Sequence, residues 1–128
     1  MKILNSPAAP PSLLPANRRI VLSGEDALRI LREIEFLLQS LHHIGRHYYP
    51  DGDDDGADAL RRAQYCAETT RFIDAQQATT RLALMRSILS APFDDTLGAD
   101  DMDDIERAVA ALPLWRASDD PSQKLIEI

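Results

Sequence analysis

Residues 23–50 carry the strongest structural signal in this chain of 128 residues, and they read SGEDALRILREIEFLLQSLHHIGRHYYP. Ser23, followed three residues later by Asp26, is a capping-box-like helix start, and the acidic first turn suits the helix dipole. Beyond it, apolar side chains recur at spacings of three and four until Pro50. This periodicity predicts an amphipathic helix over residues 24–48.

A second helix is predicted over residues 57–90, which contain no Gly or Pro and are rich in Ala, Arg and Leu. A straight helix of that length would measure about 51 Å, whereas a compact domain of this size has a radius of gyration of only about 13 Å. We therefore expect this helix to bend, break or project into a partner. Its middle holds the poorest helix formers, which are Thr69, Thr70, Asp74, Thr79 and Thr80.

A third helix is predicted over residues 101–112, capped by Asp100 or Asp101 and closed by Pro113. No segment shows the period of two that is typical of a half-buried strand. The sequence therefore predicts an all-α fold, a small helical bundle of three to four helices with one long central helix, straight or kinked.

The two ends of the chain differ from this helical domain, which we place at residues 20–116. Residues 1–19 contain four prolines and are predicted to form a flexible Pro-rich arm, while residues 117–128 form a C-terminal tail. The prolines also interrupt any secretory signal, and a single cysteine excludes an internal disulfide, so we expect a cytoplasmic protein. Twelve Arg against two Lys, with seventeen Ala, favours a bacterial source.

Composition excludes several classes of function. The formal net charge is −7, which argues against direct nucleic-acid binding because neutralising phosphates requires surplus Lys and Arg. No apolar run approaches the ~20 residues of a membrane span, so no membrane contact is expected. With 45% hydrophobic and 27% charged residues, the chain is too apolar to be disordered throughout.

The negative charge is concentrated in two predicted loops, at residues 51–58 and 94–104. Such loops would steer a protein partner with a basic surface, although ordinary solubility would also explain them. The predicted partner-binding residues are Asp51, Asp53, Asp54, Asp55, Asp94, Asp95, Asp100, Asp101, Asp103 and Asp104.

The first acidic loop has a second interpretation. The run from Asp51 to Gly56 resembles the first half of an EF-hand calcium loop, with Asp at loop positions one, three and five and Gly at six. This resemblance implies weak binding of calcium or another divalent cation by Asp51, Asp53 and Asp55. Loop position twelve, normally a bidentate Glu, is Arg62, and a solvated acidic turn is the alternative. No other cofactor is predicted.

Other candidate chemistry is sparse. His43 and His47 stand four residues apart on one helix face, with Asp51 as a third ligand, but exposed histidines at a helix end also suit its dipole. Cys66 falls near the expected core side of the second helix and is predicted to be a buried, inert thiol. No grouping of a nucleophile with a base matches a known catalytic motif, and no Gly-rich phosphate loop is present, so the chain is not expected to be an enzyme.

These observations favour a non-enzymatic, acidic protein-binding protein, such as an inhibitor, immunity factor, secretion chaperone or adaptor. A sharper form of this hypothesis is that the acidic surface imitates nucleic acid and blocks a basic or nucleic-acid-handling partner. The alternatives are a divalent-cation-responsive module using the loop from Asp51 to Gly56, and a transcriptional regulator using Arg18 and Arg19. The regulator would need a basic recognition helix, which the sequence does not offer.

The second helix also predicts self-association, because its apolar residues follow two lines rather than one. A homodimer is one explanation, with Phe72 and Leu82 as the first positions to mutate. The other is a single wide face surrounded by the remaining helices. The first line holds Leu60, Ala63, Ala67 and Ile73, and the second holds Tyr65, Phe72, Leu82, Met85 and Leu89.

Overall fold

The computed structural model describes residues 12–51 and 58–118. The described residues divide into two compact units, one within Val21–Pro92 and the other formed by residues 12–20 with residues 93–118. The described residues are helical and contain no strand, which confirms the predicted all-α fold.

The first helix, α1, spans Gly24–Tyr48, as the periodicity predicts. The Ser23 hydroxyl accepts a hydrogen bond from the Asp26 amide at 3.0 Å and so satisfies one of the free donors of the first turn. Ile30 is buried on the inner side of this helix.

The predicted helix over residues 57–90 is two helices, α2 at Ala59–Ala75 and α3 at Ala78–Ser90. The break lies at Gln77, whose φ of 52° and ψ of 54° place it in the left-handed region. A left-handed residue cannot continue a right-handed helix, so the helix is interrupted there. The expectation that this segment bends or breaks is confirmed.

Helix α2 runs antiparallel to α1, and α3 continues along α1 toward its start, where Arg81 pairs with Glu33 and Leu84 lines a cleft with Arg29 and Arg32. The ring of Tyr65 near the start of α2 contacts Tyr48 at the end of α1, with ring centroids 6.4 Å apart. Farther along, Phe72 contacts Phe36 at 5.7 Å. The Val21–Pro92 unit is therefore a small bundle built as a helical hairpin, with α1 as one arm and α2 with α3 as the other.

Residues 12–19 are not a flexible arm, which corrects the prediction for this part of residues 1–19. Pro15–Asn17 form a 3-10 helix, and Pro15 suits its first turn because proline fixes φ and lacks the amide hydrogen. Asn17 is buried and hydrogen-bonded to residues more than 70 positions away. Residues 1–11, the rest of the predicted arm, lie outside the described residues.

The last helix, α4, spans Asp104–Ala110 and is shorter than predicted. Its cap is Asp103 rather than Asp100 or Asp101. Glu106 stands three residues after Asp103, and each side chain accepts a hydrogen bond from the other's backbone amide, which completes a capping box.

Cys66 is exposed, so the prediction of a buried thiol is wrong. It follows Tyr65, whose ring faces α1, and successive side chains on a helix are about 100° apart, so the Cys66 side chain points away from α1.

Among residues 12–51 and 58–118, no helix is both long enough and apolar enough to cross a membrane.

Candidate functional site

The second acidic segment, residues 94–104, is anchored by a buried carboxylate. Asp104 is only 4% exposed. Its Oδ2 accepts hydrogen bonds from the Asn17 side chain at 2.7 Å and from the Leu14 amide at 2.9 Å. These bonds from Asn17 and Leu14 hold the pKa of the Asp104 carboxyl below its usual value. Asp104 is therefore not accessible to a partner, which corrects its assignment as a partner-binding residue.

Asn17 joins the two chain segments of this unit. Its Nδ2 donates to the Asp94 carbonyl at 3.0 Å as well as to Asp104, and its Oδ1 accepts from the Asp94 amide at 2.7 Å. The Asp94 carboxylate turns back on the next residues, because it accepts hydrogen bonds from the hydroxyl and the amide of Thr96. Those two bonds from Thr96 lower the pKa of Asp94.

Asp100 is paired within the segment. Arg107 donates from Nε and Nη2 to its two carboxylate oxygens, at 2.7 and 2.8 Å, and from Nη1 to Asp104 at 2.8 Å. The bidentate pairing with Arg107 holds the pKa of the Asp100 carboxyl well below its usual value. The same guanidinium therefore neutralises part of the charge on two aspartates.

Four of the six predicted carboxylates in this segment thus hold the segment together. Asp103 belongs to them as the cap of α4, and Asp94, Asp95, Asp100 and Asp101 are exposed. We conclude that the carboxylates of this segment have structural roles, that Asp104 is removed from the surface, and that Arg107 offsets one of the remaining negative charges.

The first acidic loop is described only at its edges. Asp51 is exposed, and Asp58 caps α2 by accepting a hydrogen bond from the Arg61 amide at 3.0 Å. Asp53, Asp54 and Asp55 lie outside the described residues, so the predicted divalent-cation site stays a prediction.

The two predicted histidine ligands lie on the surface of the Val21–Pro92 unit. His43 and His47 line a shallow cleft of about 380 Å³ together with Tyr48 and Glu68. The His47 ring packs edge-on against Tyr48, with centroids 4.7 Å apart. Within the described parts of the chain, no three His, Cys, Asp or Glu side chains are grouped so that they could hold a metal ion.

The hairpin has an apolar surface that its own helices leave uncovered. On α1, Glu33, Phe36 and Tyr48 face the other arm. Successive side chains on a helix are about 100° apart. On this count, four apolar side chains of α1 lie about 80–160° around the helix from the mean direction of Glu33, Phe36 and Tyr48. Each is between 41% and 57% exposed, and they are Leu31, Ile34, Leu38 and Leu41.

The second arm contributes to the same surface. Tyr65 and Phe72 mark the side of α2 that faces α1, and Arg81 with the buried Ala78 and Met85 marks that side of α3. The side chains of Ile73, Leu82 and Leu89 lie about 50–90° from this side, in the same rotational sense. Because the two arms are antiparallel, equal rotational senses bring both sets to one side of the hairpin. These three residues are 41% to 52% exposed. We call the surface formed by all seven residues the open face.

The opposite side of the hairpin is polar. Arg29, Arg32 and Glu33 line a cleft there with Leu84, and the histidine cleft lies on the same side. Arg81 crosses between the arms, pairing with Glu33 at 2.9 Å and lying 4.3 Å from the centre of the Phe36 ring. The hairpin is therefore amphipathic as a whole, with one polar and one apolar side.

Burial inside the hairpin is correspondingly small. Only Ile30, Ala78 and Met85 are buried apolar residues among those described. Two helical arms in contact cover one side of each other and cannot enclose a core, whereas four helices can. The open face is the functional candidate that sequence reasoning located only in part, through Leu82, Leu89 and Ile73 on the second segment.

Comparison with protein-family models, with curated proteins and with solved structures finds no match to this chain.

Proposed function

We propose that this chain is a non-enzymatic protein-binding protein and that it binds through the open face of the hairpin. The observation that carries the proposal is the set of seven large apolar side chains, 41% to 57% exposed, on one side of an amphipathic hairpin. Large continuous apolar patches on folded proteins mark sites of contact with other molecules.

The shape of the surface favours a helical partner. The open face runs along α1 and along the other arm, and two packed helices leave a groove between them. An apolar helix laid in such a groove packs its ridges into the grooves of both arms. An inhibitor, a chaperone or an adaptor could each use this form of contact.

The hypothesis of nucleic-acid mimicry loses two of the six carboxylates in residues 94–104. Asp104 is buried and Asp100 is paired with Arg107, whereas Asp94, Asp95 and Asp101 remain exposed. The cytoplasmic location and the bacterial source stay predictions.

The proposal is tested by comparing two variants of one helix. Leu38→Glu places a charge on the open face, and Leu28→Glu places the same charge on α1 at a residue that is equally exposed but lies off that face. Wild type, Leu38→Glu and Leu28→Glu, each tagged, are purified from cells that naturally make the chain, and the proteins bound to each are quantified. We expect only Leu38→Glu to lose them. Equal recovery with all three would overturn the proposal.

A further inference from the structure

We propose that the open face is covered by a second copy of this chain, so that two hairpins form a four-helix bundle. This inference rests on the proposed function, because it names the partner that the same surface binds. The first reason is architectural: a two-armed hairpin supplies half of a four-helix bundle, and a second hairpin supplies the other half.

The directions of the side chains fit this arrangement. In a four-helix bundle each helix contacts two neighbours, which lie about 90° apart around its axis. On α1, the mean direction of Glu33, Phe36 and Tyr48 points to the first neighbour, which is the other arm of the same hairpin. Ile34 and Leu41 lie about 80–100° from that direction, where the second neighbour would be, and Leu38 and Leu31 lie about 140° and 160° from it, at the outer edge of that contact.

The spacing of the α1 residues also suits pairing with an identical helix. Leu31, Ile34, Leu38 and Leu41 follow each other at intervals of three, four and three residues. This is the alternation that forms a straight apolar seam between two packed helices. A surface that pairs with its own copy about a two-fold axis is the commonest form of homodimer contact.

The exposed area is close to what a stable dimer needs. With roughly 180 Å² for a fully exposed Leu or Ile residue, the exposed fractions of the seven residues amount to about 600 Å² per copy. Complete burial of all seven in both copies would cover about 1,200 Å², the lower limit of the range of specific interfaces, about 1,200–2,000 Å² in total. Neighbouring small residues would add to it.

The polar side of the hairpin explains why assembly would stop at two copies. Arg29, Arg32, His43 and His47 stand on the side away from the open face. Once two open faces are in contact, the large apolar residues of the hairpin that stay exposed include Val21, Leu28, Leu60 and Leu84, which are fewer than the seven of the open face, so no equivalent apolar face of the hairpin's described residues remains to bind a third copy.

The test is the mass of the purified full chain in solution, measured by light scattering over a wide range of concentrations. Wild type is expected near twice 14.3 kDa, with dissociation only at the lowest concentrations. Leu38→Glu is expected near 14.3 kDa at every concentration, with unchanged helix content by circular dichroism because Leu38 is 57% exposed within one copy. Leu28→Glu, 60% exposed and off the open face, should remain a dimer.

The outcomes separate this inference from the proposed function. Wild type at 14.3 kDa throughout overturns the second copy as partner. If Leu38→Glu still abolishes capture of another protein in that case, the proposed function stands and its partner is a different chain. A dimer that Leu38→Glu leaves intact overturns the assignment of the open face as the dimer contact.

Discussion

Replacing Asn17 with alanine should loosen the unit that contains residues 12–20 and 93–118. The side chain makes two hydrogen bonds to the backbone of Asp94 and one to the carboxylate of Asp104. A neutral hydrogen bond contributes about 1 kcal/mol and one to a charged group about 1.5–3 kcal/mol, so Asn17→Ala should cost about 3–5 kcal/mol. The loss of stability is large because the Asp104 carboxylate would stay buried with one hydrogen-bond donor fewer.

The assay is amide hydrogen exchange followed by mass spectrometry on peptides from residues 93–110. A loss of about 3–5 kcal/mol should speed amide exchange in residues 93–110 by roughly a hundredfold or more. Where the free energy of opening is smaller than this loss, protection should disappear. Peptides from α1 serve as an internal reference and should not change. Arg19→Ala, at an exposed neighbouring position, is the matched control. Unchanged protection of residues 93–110 in Asn17→Ala would refute the assigned role of Asn17.

Three further predictions concern other contacts. Folding lowers the pKa values of Asp100 and Asp104, the two carboxylates bonded to Arg107, so they stabilise the fold at pH values above the usual aspartate pKa, and this contribution is lost as the pH falls toward the lowered values. Urea unfolding at decreasing pH should show the free energy of unfolding falling in this way, and Arg107→Gln should make that free energy depend less on pH. Gly98→Ala should weaken protection of residues 93–110, because a Cβ there would lie 2.7 Å from Arg107 Nη2, which would have to give up its hydrogen bonds to Asp100 and the Met102 carbonyl in order to move. Gly45→Ala meets nothing within 4 Å and should leave protection unchanged. Phe36→Ala should lower the free energy of unfolding of the hairpin by about 2–3 kcal/mol in urea, since it removes the ring that contacts Phe72; no change would contradict that packing.

The features that were predictable from the sequence rest on local signals. Helix α1 was predictable because the Ser23 cap and the apolar period lie within the helix itself. The capping box of α4 was also predictable in principle, since Asp103 and Glu106 have the required spacing, but six aspartates close together offered several competing caps. The break at Gln77 followed only from a length argument, because glutamine carries no signal for a left-handed residue.

The features that the sequence did not predict depend on contacts between distant residues. Asn17 bonds to Asp94 and Asp104, which lie 77 and 87 positions farther along the chain. Nothing near Asn17 in its Pro-rich segment indicates those partners. Which apolar line of α2 faces α1 was equally unpredictable. Phe72 packs inside one copy against Phe36, so Phe72→Asp would damage the hairpin itself, and only Leu82 of the two suggested positions tests association.

Whether a second copy covers the open face is tested most directly by the reactivity of the Cys66 thiol. Cys66 lies at nearly the same angle around α2 as Ile73 and is exposed in a single copy. The measurement is the rate at which a maleimide reagent modifies Cys66 in the folded full chain, in wild type and in Leu38→Glu, across a dilution series. We predict slow modification of wild type at high concentration, acceleration on dilution, and fast modification of Leu38→Glu throughout. Equally fast modification of both proteins at every concentration would contradict the claim that a second copy of the chain covers the open face.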